Sequence, residues 1–467
     1  MKLRPIEASL QVANRAIIKP ERHEYHPSVE MRSPSSLKPS ERNARTHSNK
    51  QVRQIAGSLT AFRFIVPVLV DENDVVIAGH GRLAAAKLLG LTKVPVIAVT
   101  HLNDAEKRAL ALADNKIAAN AGWDRAKAAA ELSALIVPLS EIELDISITG
   151  FDTPEIDGLA ADFVDSEGDP ADSVPSLSEG AATAEIGDLW HLGDHRLYCG
   201  DACDYDCLAR LMGNARASML FSDPPYNLRI KAIVGRGSIK HREFLSGSGE
   251  MSDAQFDAFS RKWISSAARF CAEGSLAYIC MDWRHLTQVQ LVGNEIFTEL
   301  KNIIVWVKNN AGQGSLYRSQ HEFILLFKNG TGDHQNNIEL GRHGRNRSNV
   351  WSYPGVNSFR SGRLADLAAH PTVKPVALVA DAMRDCSPRK GVILDPFMGS
   401  GTTILAAEKV GRRGYGIEID PQYVDVAVRR WQDFTGRDAV LETGGTYDEI
   451  VGQRAAVRGR KTRRERL

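Results

Sequence analysis

The residues whose chemistry stands out first are Asp223-Pro224-Pro225-Tyr226. They follow an apolar run, Ala217 to Phe221, that reads as a buried strand. Prolines cannot donate to a sheet ladder, so the pair stiffens the strand's exit and leaves backbone carbonyls unpaired. An acid and a ring are thereby held at a strand's carboxyl end, where open α/β sheets place ligands. The tetrapeptide alone fits an ordinary strand-to-loop exit equally well. A second constellation lies far downstream. Asp395-Pro396-Phe397-Met398-Gly399-Ser400-Gly401-Thr402-Thr403 follows a short strand, Gly391 to Leu394, and opens a helix reaching about Val410. The next strand, Gly414 to Ile417, ends at Glu418-Ile419-Asp420. In such a β-loop-α-β unit the acid after the second strand can bind ribose hydroxyls. Gly399-Ser400-Gly401 lacks the third glycine of a pyrophosphate loop, and there is no Gly-Lys-Ser/Thr for a triphosphate. A nucleoside ligand without pyrophosphate is therefore implied. S-adenosyl-L-methionine is one, with ribose and adenine at one end and a sulfonium methyl at the other.

Two further stretches could bind anions. Gly79-His80-Gly81-Arg82 runs directly into an apolar helix, Leu83 to Leu89. Free backbone N–H groups and the helix dipole would face an anion there, and Arg82 adds a fork of donors. The plainer reading is a tight turn that needs glycine. Between Gly341 and Arg363 stand Arg342, Arg345, Arg347, Arg360 and Arg363, with Trp351, Tyr353 and Phe359 and no acid. That mixture suits phosphate contacts plus base stacking; a solvated loop is the alternative.

The elements that must position these residues divide the 467-residue chain into parts. Residues 1–34 read as an N-terminal arm. Residues 35–160 read as a first domain: a helix over Asn49 to Phe62, strands at Phe64 to Val70 and Val75 to Ala78, and a strand at Lys93 to Thr100. Residues 161–185 are rich in Asp, Glu, Ser, Ala and Pro and read as a solvated linker. Residues 186–440 read as a second domain, with a hairpin (Leu189 to Leu192, Arg196 to Cys199), a helix (Tyr205 to Met212) and strands at Leu276 to Cys280, Asn302 to Val307 and Glu322 to Lys328. Within it, Leu228 to Gly249 reads as a loop able to close over a substrate. The stretch 330–369 loses regular pattern. Residues 441–467 form a basic tail, with seven basic residues and one acid from Arg454 onward, and read as a disordered segment able to hold DNA.

Composition narrows the class. A net charge of +1 gives no global field for nucleic acid, so such a signal must be local. No apolar run approaches the roughly 18 residues of a membrane span, and the N-terminus lacks an apolar signal core. Six sparse cysteines suit reduced thiols in a cytoplasm. Cys199, Cys203 and Cys207 are evenly spaced but lack His/Cys companions, so no dedicated metal site is expected.

Four motifs in order make the second domain resemble an amino-methylating DNA methyltransferase of the permuted (β) class. They are Asp223-Pro224-Pro225-Tyr226-Asn227, His370-Pro371-Thr372-Val373-Lys374-Pro375, Phe397-Met398-Gly399-Ser400-Gly401-Thr402-Thr403 and Gly416-Ile417-Glu418-Ile419-Asp420-Pro421. Asn43-Ala44-Arg45, Val66-Pro67, Ile77 to Arg82 and Val94 to Ile97 resemble the ParB/sulfiredoxin-like domain. In that family the Gly79–Arg82 turn binds nucleotide phosphates or DNA. His80-Gly81 replaces the usual Glu-Arg, so nucleotide hydrolysis is not carried over. The implied fold is α/β: a doubly wound, mostly parallel, Rossmann-like sheet preceded by a smaller α+β ParB-like domain.

The resemblance also implies roles. Asp223 and the carbonyl of Pro224 accept the two N–H bonds of an exocyclic base amine and stabilise charge developing on its nitrogen. Tyr226 stacks on a base flipped from double-stranded DNA. Glu418 binds the ribose of S-adenosyl-L-methionine, and Asp201 contacts its adenine end. Asp395, Phe397, Gly399, Gly401 and Thr402 belong to the cofactor loop. Lys374 and His370 shape the same pocket. Residues 330–369 supply target recognition. Methylation at carbon 5 of cytosine is excluded, because no cysteine follows a proline. The family tendency of Asp at the first motif position for adenine makes adenine N6 the expected target, with cytosine N4 as the alternative. A DNA- or nucleotide-binding protein with an inactive methylase body is the alternative of another class. Relatives often dimerise, so a homodimer is an expectation on that ground alone.

Overall fold

The computed structural model describes residues 26–142, 144–161, 170–175, 180–228, 249–311, 316–340, 347–355 and 373–464. The chain separates into two compact units, Met1–Phe151 and Asp152–Leu467.

The first unit is α+β. Its strands are β1 (Glu30–Arg32), β2 (Val68–Val70), β3 (Val76–Ala78) and β4 (Val94–Ala98), in the order β1-β4-β2-β3. Its helices are α1 (Asn49–Phe62), α2 (His80–Leu88), α3 (Asp104–Asn120) and α4 (Arg125–Glu141). Ser48 caps α1 by accepting from the N–H of Gln51, and Asn103 with Glu106 forms a reciprocal capping box on α3. The end of the expected N-terminal arm is not free: β1 pairs antiparallel with β4.

The second unit holds α5 (Thr153–Ala161), β5 (Leu189–Leu192), β6 (His195–Cys199), α6 (Tyr205–Met212), β7 (Ala217–Ser222), α7 (Asp253–Ala268) and β8 (Cys271–Met281). There follow α8 (Leu286–Ile296), β9 (Glu299–Val307), β10 (His321–Lys328), β11 (Val350–Ser352), α9 (Val376–Cys386) and β12 (Val392–Asp395). The last elements are α10 (Thr402–Val410), β13 (Arg413–Glu418), α11 (Pro421–Thr435), β14 (Val440–Leu441) and α12 (Tyr447–Arg464). Among the described residues the strands form one sheet in the order β11-β9-β10-β8-β7-β12-β13-β6-β5-β14.

The centre of that sheet, β8-β7-β12-β13-β6, is parallel. Its strands are buried on both faces, which is why Met219-Leu220-Phe221 and Val392-Ile393-Leu394 read as unbroken apolar runs. Alternate side chains feed opposite layers. Met219 and Phe221 pack with α9, α10 and α11, whereas Leu220 packs with α6, α7 and α8, as does Ala217, which the irregularity before Met219 takes out of the alternation. Helices on both faces make the sheet doubly wound, as expected.

Three expectations about the flanks are corrected. The described parts of the 161–185 linker are anchored rather than wholly solvated: Ala171 and Ala184 are buried in the main core. The basic tail is not disordered as far as Arg464; it forms α12, and Arg454 donates to both oxygens of Asp188, at 2.5 and 2.9 Å. The 330–369 stretch carries a strand, β11, that pairs parallel with β9. No described helix is long and apolar enough to cross a membrane.

Candidate active site

Three strand ends converge on one cavity of about 510 Å³. β7 delivers Asp223, β12 delivers Asp395 and the loop to Thr402, and β13 delivers Glu418. These are carboxyl ends of adjacent parallel strands, so their loops fan out on the same side of the sheet. The volume lies within the range of small-molecule and cofactor sites, roughly 300–1,000 Å³.

The cofactor end is built by backbone geometry. Gly399 and Gly401 take positive φ, 55° and 87°. A Cβ on Gly401 would also come within 2.9 Å of Ala427 Cβ, so only glycine lets the loop lie against α11. Asp395 is buried and accepts from the N–H of Phe397 (3.0 Å) and the hydroxyl of Thr403 (2.5 Å). Glu418 accepts from the N–H of Gly399 (2.8 Å) and of Asp420 (2.8 Å). Both acids thus shape the loop while facing the cavity. Burial raises each to about 7, against the opposing pull of those hydrogen bonds. Asp201 lines the same cavity and fixes its own turn by accepting from the N–H of Cys203 (2.8 Å). Phe397 stands edge-on to Trp263 with centroids 5.2 Å apart. Thr402 accepts from Arg430 at 3.1 Å, and Arg430 also donates to Ser400 Oγ and the carbonyl of Ala171. A cavity with carboxylate acceptors at one end and Asp223 at the other fits S-adenosyl-L-methionine.

The Asp223 end is a charged cluster. Lys374, 5% exposed, donates to Asp223 Oδ2 at 2.7 Å. It also bridges to Glu322 Oε2 at 3.1 Å and donates to the Tyr226 hydroxyl at 3.2 Å. That hydroxyl lies 2.8 Å from Asp223 Oδ1 and 3.0 Å from Glu322 Oε2. Lys308, from the end of β9, pairs with the other oxygen of Glu322. Burial raises Asp223 above the usual carboxylate range; the Lys374 ammonium opposes the rise and the Glu322 charge adds to it. Glu322 goes the other way. Burial would raise it, but Lys374 and Lys308 outweigh burial and hold it at about 2. Burial would lower Lys374, yet the two carboxylates raise it.

Asp201, Asp223, Pro224, Tyr226, Asp395, Phe397, Gly399, Thr402 and Glu418 all line the one cavity, and Gly401 holds the turn behind it. Lys374 lines it too, and its ammonium sits on Asp223 and Glu322, at the Asp223 end of the cavity. Glu322 and Lys308 are absent from the sequence expectations; in the sequence they look like ordinary charges at strand ends. Among the arginines, Arg347 is corrected. It is paired with Asp381 and Asp385 (both 3.1 Å) and lies over the Trp351 ring, so it braces α9 rather than facing a phosphate. Trp351 is itself buried and stacks on Tyr278, which removes it from base stacking. Arg342, Arg345, Arg360, Arg363, Phe359 and His370 lie outside the described residues, as does most of the Leu228 to Gly249 loop. Asn227 fixes one end of that loop through Met251, donating to its carbonyl at 2.8 Å and accepting from its N–H at 3.2 Å.

In the first unit, Gly79, His80, Gly81 and Arg82 line a separate cavity of about 240 Å³. Gly79 adopts φ 101° at the N-cap of α2, and a Cβ on Gly81 would come within 3.0 Å of His47. Arg82 donates to the carbonyl of Pro67 at 3.2 Å, and its Nε is buried with no partner among the described residues.

Fold and site together define a methyl-transferring α/β enzyme, and comparison with known proteins agrees. Residues 217–429 match the DNA methylase family, residues 21–116 the ParB N-terminal domain and residues 129–190 the ParB-methyltransferase HTH domain. The chain is 25% identical over 264 residues to the type II methyltransferase M.HpaI of Haemophilus parainfluenzae, spanning 53% of this chain and 78% of that protein. Over 87 residues it is 47% identical to the type II methyltransferase M.ScaI of Streptomyces caespitosus, 19% of this chain and 29% of that protein. The crystal structure of the M1.HpyAVI–SAM complex is similar at 21% identity and a TM-score of 0.35, over 50% of this chain and 98% of that one. Residues 217–429 thus carry an N6/N4-type DNA methylase domain beside the ParB-type matches, an arrangement consistent with a ParB-fused DNA amino-methyltransferase, and this methylase family uses S-adenosyl-L-methionine.

Proposed function

We propose that this protein methylates adenine N6 at a specific sequence in double-stranded DNA. The observation that carries the reading is that Asp223 and Pro224 line the same cavity as Asp395 and Glu418. S-adenosyl-L-methionine supplies an electrophilic methyl group on a sulfonium. An aromatic amine is a poor nucleophile because its lone pair is delocalised into the ring. Asp223 and the Pro224 carbonyl accept its two N–H bonds, which favours a pyramidal nitrogen and stabilises positive charge as the new C–N bond forms and the methyl–sulfur bond breaks, the thioether leaving with the electron pair and one N–H proton passing to solvent. Holding that nitrogen in line with the methyl group supplies much of the remaining acceleration. Tyr226 presents a ring against which the extruded base stacks. Asp in the first position of the motif favours adenine over cytosine.

The decisive experiment is product analysis. DNA from cells expressing the protein is digested to nucleosides and sequenced by a modification-aware method. N6-methyladenine at one recurrent site is expected. N4-methylcytosine alone ends the adenine reading, and no modified base at all ends the enzymatic one. The ParB-like unit contributes a candidate anion site at Gly79–Arg82, where α2 presents its N-terminus to the second cavity. Calorimetric titration with nucleoside triphosphates and short duplexes, repeated on Arg82→Ala, tests it. Equal binding by both proteins removes Arg82 from the site.

A further inference from the structure

The catalytic end contains more charge than the chemistry of Asp223 requires. We propose that Glu322 is a positioning residue for methyl transfer, holding Lys374 and Tyr226 so that they set the orientation and charge of Asp223, with Lys308 as its counter-ion. The proposal rests on the reading of Asp223 as the acceptor of the amine.

Donor counting supports it. An ammonium has three N–H donors. The three neighbours of Lys374 Nζ are Asp223 Oδ2, Glu322 Oε2 and the Tyr226 oxygen, at 2.7, 3.1 and 3.2 Å. The ammonium is therefore fixed from three sides, and Glu322 is one of them. The same Glu322 oxygen lies 3.0 Å from the Tyr226 hydroxyl, so it also sets the phenol that touches Asp223 Oδ1. Asp223 is thus oriented by two groups, and both lean on Glu322.

Charge counting gives the second argument. Asp223 and Glu322 bring two negative charges; Lys374 and Lys308 bring two positive ones. The cluster is neutral before the amine arrives. Without Glu322 it carries an excess positive charge where positive charge must develop in the transition state, which opposes the reaction. The two carboxylates are also driven apart: Glu322 is held at about 2 and Asp223 is raised. Such a divergence separates a fixed charge from a responsive one. Glu322 is the fixed charge, and Asp223 is the group whose protonation state matters. The groups facing Asp223 are Lys374 from the segment before α9, Glu322 from β10, Tyr226 from its own loop, Cys280 from β8 and Asp395 from β12.

The test uses the full chain with Glu322→Gln and Glu322→Asp. Single-turnover methyl transfer to DNA is followed against pH. S-adenosylmethionine affinity is measured by calorimetry, and the Asp223 carboxyl is titrated by 13C NMR in the cofactor-free protein. Glu322→Gln should slow transfer by roughly tenfold to a hundredfold, the scale of a misplaced reacting group, with cofactor affinity retained. Removing a neighbouring negative charge also makes Asp223 more acidic, so its titration and the acid limb of the rate profile should both move to lower pH. Glu322→Asp should restore much of the rate. Lys308→Met should shift Asp223 the other way, to higher pH, and covers the case in which Glu322→Gln does not fold. An unchanged rate in Glu322→Gln overturns the proposal. So does a slowed rate with the Asp223 titration unmoved, which would mark a purely structural ion pair. Wild-type protein that methylates no DNA would refute the functional reading instead, while the Asp223 titration would still decide whether Glu322 governs that group.

Discussion

The Asp223→Asn substitution isolates the electrostatic part of catalysis. The amide keeps the size of the side chain and one acceptor oxygen but removes the charge. Lys374 is not orphaned, because Glu322 stays 3.1 Å away, so the fold should tolerate the change. A full positive charge at about 3 Å from a carboxylate oxygen is stabilised by roughly 5 kcal/mol at an effective dielectric of about 20, and a half-developed charge by roughly 3 kcal/mol. The second figure corresponds to a rate loss on the order of a hundredfold. Single-turnover transfer of a tritiated methyl group to DNA measures the loss, and calorimetry checks the cofactor's Kd. The prediction is a slow enzyme that still binds S-adenosylmethionine. A variant that transfers methyl at the wild-type rate would refute the electrostatic role. One that loses cofactor affinity in proportion to rate would mean that Asp223 acts mainly in binding.

Other outcomes follow from the same geometry. Glu418 is raised to about 7 by burial, so between its unfolded value near 4.5 and about 7 the folded protein holds the extra proton. Stability must then fall as pH rises through that window. Glu418→Gln removes this penalty, and a melting series should show wild type losing ground to the variant from pH 4.5 to 7; parallel curves would contradict the assignment. The buried pair of Asp157 and Arg412, 2.8 Å apart, joins α5 to the loop before β13. Arg412→Ala leaves Asp157 with the Arg389 guanidinium, 3.1 Å away, so it should cost about 1.5–3 kcal/mol in denaturant unfolding, the range of lost hydrogen bonds to a charged group, and a cost below about 1 kcal/mol would show the site to be wet. Arg454→Ala cuts the tie from α12 to Asp188. Limited proteolysis should then open residues 447–464 first; an unaltered cleavage pattern would mean that packing of Tyr447 and Ile450 suffices.

The cofactor loop was legible because its constraints are local. Gly399 and Gly401 are needed where the backbone turns left-handed, and Glu418 is the last residue of its strand. Strand β7 and the hairpin β5–β6 were equally readable, since burial on both faces, or a two-residue turn, writes itself into a few neighbouring residues. Glu322 was not legible. Its partners Tyr226 and Lys308 stand 96 and 14 positions away, and nothing at the start of a strand marks which charge will meet them. Arg347 misled for a related reason. An acid-free basic run looks like a phosphate binder until Asp381 and Asp385, four residues apart on one face of α9, are seen to receive it. The acidic linker misled because Ala171 and Ala184 bury little surface each and are fixed by hydrogen bonds to distant partners.

Those hydrogen bonds make the catalytic body hard to excise. Asp172 accepts from the N–H of Val376, two residues beyond Lys374, and Arg430 ties Ala171 to Ser400 and Thr402. A gene fragment opening at Ile186 would keep every recognisable motif, yet remove the Ala171 carbonyl from Arg430 and the Asp172 carboxylate from the start of α9. What reads as a spacer is, at Ala171, Asp172 and Ala184, a brace for two loops of the pocket and for the start of α11. A methylase grafted onto another leader loses that brace unless these residues travel with it.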